Sequence, residues 1–253
     1  MALLTDQELI TTRDLLKHEN DLLETADRER VEIETKISLA IDEISTETET
    51  ELEKVFSSGA VGSGAGISVR NVVATPALLR WLKSRALSLF YFACYGNQLN
   101  ERFKRKFEHY SKASETAKAD YLQRGIGISD SPLAKPGALD SEVGIGTVPP
   151  GAYYFAATWV NLRGQESALG TAGSVLLSAA GGVLLQSPTA PQNATGWNVY
   201  MGRSADEVYR QNSAPLAIAD AWNHPGAIAE EVPPGSGQLP DRYLQVQRIF
   251  QRG

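Results

Sequence analysis

The sequence is poor in the residues from which reactive sites are usually built. It holds one cysteine and three histidines in 253 residues. A single cysteine excludes an internal disulfide. Cys94 stands in LFYFACYG, an apolar helical run where a thiol serves as a small core side chain rather than as a nucleophile. His18, His109 and His224 fall in three separate segments, with no His-x-x-x-His pair and no cysteine pair beside them, so the spacing of a zinc site is missing. Each reads as a surface or core-edge histidine. No Gly-x-Ser-x-Gly elbow is present to expose a hydrolase serine. No window approaches about 18 uninterrupted apolar residues, so no membrane span is expected. The opening MALLTDQELI carries acids where a secretory leader would run from basic to apolar, so no leader is expected either. With one cysteine, synthesis in a reducing cytoplasm is the expectation.

What is present is ordinary in amount and unusual in arrangement. The 42% hydrophobic and 21% charged content suits a globular protein, and the length allows two domains, each with its own core. The net charge of −6 conceals a division along the chain. Residues 1–56 hold 6 Lys/Arg against 16 Asp/Glu, whereas 57–125 hold 11 against 4; the remainder holds 7 against 10. An acidic and a basic helical segment on one chain can neutralise each other within a protomer or between protomers. The acids lie on polar helix faces rather than in an apolar setting that would raise a carboxyl pKa, so acid–base catalysis is not indicated. The expectation is a protein without enzymatic activity, cofactor or metal.

Helix dominates the first half. Thr5-Asp6-Gln7-Glu8 has the spacing of a capping box, with Leu4 and Leu9 as a hydrophobic staple. Leu9, Leu15, Leu16, Leu22 and Leu23 then recur at helical spacing, and Asp27 is a candidate cap for a second run through Val31, Ile33, Ile37, Ile41 and Ile44 towards Val55. Within that run, STETETELE is acidic and poor in apolar residues, the pattern of a face turned to solvent or to a basic partner. Residues 57–71 open with a Gly/Ser-rich loop. It is not a phosphate loop, because Ile67-Ser68 stands where Gly-Lys-Ser/Thr would be needed. Thr75-Pro76 restarts helix, with an N-cap and proline at the first position. The segment that follows carries the chain's richest apolar stripe, from Leu78, Leu82 and Phe90 through Leu99, Phe103, Phe107 and Tyr110, with a bend expected at Gly96-Asn97. The stripe predicts the core of a helical bundle over residues 1–124.

The period changes after residue 125. Residues 125–152 are rich in Gly, Pro, Ser and Asp, and read as an interdomain linker. YYFAATWV then alternates, NLRGQES makes a turn, and SVLLSA, GGVLLQSP, TGWNVYMG, EVYRQNS and a stretch near Ala227-Ile228-Ala229 follow as short strands. Strands at about ten-residue spacing predict an antiparallel β-sandwich over 153–240, with Trp159, Tyr200 and Trp197 in its core. Asn193-Ala194-Thr195 fits a glycosylation sequon but reads as a turn. Residues 241–253 alternate as a last strand or a tail. The fold class expected is therefore α+β and multidomain.

The C-terminal half resembles the fibronectin type III-like or immunoglobulin-like modules of tailed-phage structural proteins. The resemblance rests on YYFAATWV, on the GQES turn and on Ala194-Thr195-Gly196-Trp197-Asn198-Val199-Tyr200. The helical half, with a capped helix, a long acidic helix, a loop and TPALLRW…FYFACYGNQLNERF…KFEHY, is similar in element order to the head-to-tail adaptors, or connectors, found beneath the portal of tailed phages. That resemblance implies a homo-oligomeric ring, commonly a dodecamer, in the neck of a virion. Such a ring docks on the portal protein and offers a platform to a downstream neck or tail protein. Double-stranded DNA passes through its lumen without sequence-specific binding.

Two groups of residues are the candidate interfaces. Arg102, Lys104, Arg105 and Lys106 form a basic cluster beside the apolar stripe, either a solvated face or a contact with an acidic protein surface or DNA. In the tail, Tyr243, Val246, Arg248, Phe250 and Arg252 alternate apolar and basic character, as expected of a segment that adds to a neighbouring sheet, inserts into the portal, or completes the sandwich. Two rival readings stand beside the adaptor. A tail- or fibre-associated protein with a carbohydrate-binding or host-binding sandwich would expose Trp197 or Trp222. A nucleic-acid-binding regulator would use Arg102 to Lys106 and lose affinity steeply with salt.

Overall fold

The computed structural model describes residues 1–6, 8–57, 66–224 and 226–246. In chain order, its helices are α1 (Thr12–Leu16), α2 (Leu22–Glu29), α3 (Ile33–Ser57), α4 (Pro76–Gln98) and α5 (Glu101–Arg124). Its strands are β1 (Ile126–Ile128), β2 (Asp140–Val148), β3 (Gly151–Val160), β4 (Gly173–Leu177), β5 (Gly181–Gln186), β6 (Gly196–Ser204), β7 (Glu207–Arg210), β8 (Trp222–Asn223) and β9 (Arg242–Leu244). The chain divides into a helical unit, residues 4–128 with the segment from Pro240, and a β-sandwich unit, residues 129–239 with Met1–Leu3. The fold is thus α+β, helices first and antiparallel sheets after.

In the helical unit, α4 starts where its local sequence says it should. The Thr75 hydroxyl accepts the Leu78 N–H, and Pro76 takes the first position, where no donor is needed. The helix continues through Gly96-Asn97 without a break. It stops at Leu99, whose left-handed φ of 51° reverses the chain. The Asn100 side chain then accepts the Arg102 N–H and starts α5. Leu99 is therefore not part of the buried stripe; it is the hairpin tip, 71% exposed. Behind it α4 and α5 pack antiparallel, with Tyr91 stacked on Tyr110 at 5.8 Å and Trp81 against Tyr121 at the same distance. Helix α3 adds Ile33, Ile37, Ala40, Ile44 and Leu52 to this core. These side chains recur at intervals of three, four and eight residues, which keeps them on one face.

The N-terminus differs from its sequence reading. Thr5 lies in a turn, Glu8 has a φ of 59°, and no helix begins there. The reciprocal cap forms one motif later. The Thr11 hydroxyl accepts the Asp14 N–H, and the Asp14 carboxylate accepts the Thr11 N–H. Leu4 is fully buried, and its N–H donates to the Val72 carbonyl at 2.8 Å, which commits residues 4–6 to a turn. What read as one helix is two short ones. Asp27 lies inside α2, which ends at left-handed Arg30.

Residues 125–152 are not a plain linker. β1 pairs antiparallel with β9, Ile126 opposite Leu244 and Ile128 opposite Arg242, as a small ribbon of the helical unit with both isoleucines fully buried. β2 belongs to the sandwich. The glycine content that read as a linker reflects close backbone packing instead: a Cβ at Gly146 would stand 2.6 Å from the Gly181 carbonyl oxygen. The pairing with β1 also shows that Arg242–Leu244 is not the last strand of the sandwich.

The sandwich has a three-stranded sheet, β2-β5-β8, and a four-stranded sheet, β4-β3-β6-β7, with every pair antiparallel. Tyr153, Phe155, Ala157 and Trp159 alternate inward from β3 and meet Trp197, Val199 and Met201 of β6 in one apolar cluster. Trp159 and Trp197 are register partners, and the Trp197 indole N–H donates to the Ala217 carbonyl at 3.1 Å. The Ala227-Ile228-Ala229 stretch is a loop rather than a strand; Gln211 holds it, its amide accepting the Ala229 N–H and donating to the Ala229 carbonyl.

Candidate functional site

The basic run on α5 does not act as one patch, because helical periodicity divides it. Arg102 and Lys106, four residues apart, face the turn before α2. Arg102 Nη2 lies 2.8 Å from Asp21 Oδ2, and Lys106 Nζ lies 2.5 Å from Glu19 Oε2 and 3.4 Å from Asp21 Oδ1. Lys106 also donates to the Tyr91 hydroxyl at 3.0 Å, and the Tyr110 hydroxyl donates to Glu19 Oε1 at 2.7 Å. Among the described residues Lys104 makes only a 3.7 Å pair, with Glu101 on its own helix, and Arg105 is exposed.

This cluster of two acids, two bases and two tyrosines is electrostatically settled. Partial burial works against the Asp21 charge, but the adjacent Lys106 ammonium outweighs it and holds the carboxyl below its ordinary value. Burial, reinforced by the negative charges of Glu19 and Asp21, pushes both tyrosine hydroxyls well above theirs. Asp21 stays ionised and the two tyrosines stay protonated, so none of these three is poised to exchange a proton near neutrality. The cluster fastens the turn at residues 19–21 to the α4–α5 hairpin.

The tail candidates divide in the same way. Tyr243 sits in β9 opposite Gly127 and is about half exposed, beside Arg80 and Arg124. Val246 packs against the helical core. Arg248, Phe250 and Arg252 lie outside the described residues.

The sequence reading passed over a cationic groove. Leu79 and Leu87 of α4 and Ala113 of α5 form the apolar part of a cavity of about 660 Å³ in the helical unit. Arg80 and Lys83 of α4, His109 of α5 and His18 of the turn after α1 also line it, beside Pro76, Ser84 and Tyr110, and no carboxylate does among the described residues. None of these four side chains forms an ion pair among the described residues; Lys83 is felt electrostatically at Asp14 without touching it. The signal was in the sequence, since Arg80 and Lys83 fall one turn apart beside Leu79 and Leu87. The run at 102–106 is denser in charge and therefore the stronger signal in the sequence.

Two polar features of the sandwich are structural. Thr158, Asn198 and Tyr200 all donate to Glu166 Oε1, the last two at 2.9 and 2.7 Å, which ties the turn after β3 to the sheet. In that turn the Asn161 side chain accepts the N–H groups of Arg163 and Gln165, and Gly164 supplies a φ of 72°. His224 is buried, with its ring stacked 5.2 Å from Trp222, and burial holds it below its ordinary pKa, which keeps the imidazole neutral. Among the described residues, no group of three or more His, Cys, Asp or Glu side chains is placed to hold a metal ion, and no helix is long and apolar enough to cross a membrane. No family model matches the sequence, and no curated protein matches it.

Proposed function

We propose that this chain is a structural virion protein, the head-to-tail adaptor of a tailed phage. In this reading it forms a ring, docks on the portal and connects the capsid to the next neck or tail protein, with DNA passing through the lumen. It acts by binding alone, without catalysis. The observation that carries the reading is the distribution of charge on the helical unit. Asp42, Glu49 and Glu53 are exposed on α3, and their carboxylates form no ion pair among the described residues, while Arg80 and Lys83 are equally unpaired in the α4–α5 groove. Complementary faces on one chain suit the front-to-back contacts from which rings are closed.

The sandwich, in this reading, is an appended module that contacts other proteins through its surface. The rival carbohydrate-binding module was to expose Trp197 or Trp222, and both are buried. Native mass measurement of the full-length protein, alone and with purified portal rings, tests the adaptor. A ring mass and stable portal complexes are expected; a monomer or trimer that ignores the portal would overturn the reading.

A further inference from the structure

The cationic groove lies on a unit that also carries a surface of opposite charge. Leu39, Asp42, Thr46, Glu49 and Glu53 follow one another at intervals of three and four residues along α3, which places them in a single stripe. That stripe is the solvent side of the helix, opposite the face formed by Ile37, Ala40, Ile44, Thr48 and Leu52. All five stripe residues are exposed, Leu39 included. The acids on the flank of α3 are already used within the protomer: Glu43 pairs with Arg85, Glu47 with Lys118 and Glu51 with Lys54. Asp42, Glu49 and Glu53 are left over.

The groove is complementary in charge and in spacing. At about 1.5 Å of rise per residue, Glu49 and Glu53 stand about 6 Å apart along α3, and Arg80 and Lys83 about 4.5 Å apart along α4. The long arms of Arg80 and Lys83 span the difference. We infer that the α4–α5 groove receives the outer stripe of α3 from a second copy of this chain, as a front-to-back contact in which each protomer offers one groove and one stripe. The inference rests on the proposed ring and names its interface.

Charge reversal with mixing tests it. One variant carries Arg80→Glu and Lys83→Glu; the other carries Asp42→Lys, Glu49→Lys and Glu53→Lys. All substituted positions are at least partly exposed, and circular dichroism and thermal melting check that each variant folds. Alone, each variant is expected to self-associate at least about tenfold more weakly than the wild type, with like charges facing across every contact. Mixed in equal amounts they are expected to assemble with alternating order, because each then meets a complementary face. The inference is overturned if either variant alone assembles like the wild type, or if the mixture stays apart. Either result with a wild-type protein that still forms rings leaves the adaptor standing, whereas a wild-type protein that stays monomeric even on the portal removes both. Loss of DNA affinity in the groove variant with unchanged self-association would make the groove a phosphate surface and also overturn the inference.

Discussion

Lys106 Nζ lies 2.5 Å from Glu19 Oε2 and 3.0 Å from the Tyr91 hydroxyl, so one lysine on α5 fastens the turn before α2 to the helical hairpin. The Lys106 side chain is 25% exposed and the Glu19 side chain 14%, between a surface pair and a buried one. Lys106→Met leaves Glu19 with the Tyr110 hydroxyl and no cation. It should lower stability by about 1–3 kcal/mol, read from the urea midpoint. Adding Glu19→Gln should cost less than it does alone, because the partner charge is already gone. An unchanged midpoint for Lys106→Met would show that the contact contributes nothing.

The same cluster sets an acid dependence. Because the folded-state pKa of Asp21 is lowered, its contribution is fully present above the ordinary aspartate value of about 3.9 and is lost as pH falls through the lower folded value. Asp21→Asn should therefore flatten the stability profile below about pH 4 and leave its slope near neutrality unchanged. Chemical unfolding of both proteins across that range checks the sign. A profile that steepens in the variant would contradict it.

These contacts show how far the sequence could be read. The start of α4 was legible because its cause is local: a threonine, a proline, and leucines at helical spacing. The inward alternation of Tyr153, Phe155, Ala157 and Trp159 was legible for the same reason. The capping box was not, since Thr5-x-x-Glu8 and Thr11-x-x-Asp14 both fit the motif. The choice falls to the Leu4 N–H and the Val72 carbonyl, which are distant in sequence. The partners of Arg102 and Lys106 lie 81 and 87 residues upstream, so the charge of the run could be counted while its neutralisation could not be seen. The pairing of three-residue β1 with β9 had too short a pattern to announce itself against a Gly- and Pro-rich background.

One glycine of that background and one outside it, in α4, test whether the background is close packing. Gly146→Ala drives a methyl group into the backbone of Gly181 and Gly182 and should destabilise the sandwich by about 1–3 kcal/mol. Gly96→Ala, inside α4 with nothing within 4 Å of the added carbon, should stabilise by about 0.5–1 kcal/mol. Thermal melts of the two variants should move in opposite directions. Equal shifts would mean that glycine at 146 is incidental.

Cys94 should be inert in the folded protein. Its thiol is fully buried, and burial pushes its pKa up to about 12, so almost no thiolate is present or accessible near neutral pH. Labelling with a disulfide reagent should proceed only at the rate of unfolding and should accelerate in denaturant. Rapid labelling under native conditions would place the thiol at a surface.

The central claim is a ring that joins the portal to the tail, and the rotational symmetry of the protein bound to purified portal tests it most directly. Class averages from electron micrographs should show a closed ring coaxial with the portal, with twelve copies of this chain around an open lumen. Monomers or trimers scattered without contact with the portal would contradict the account.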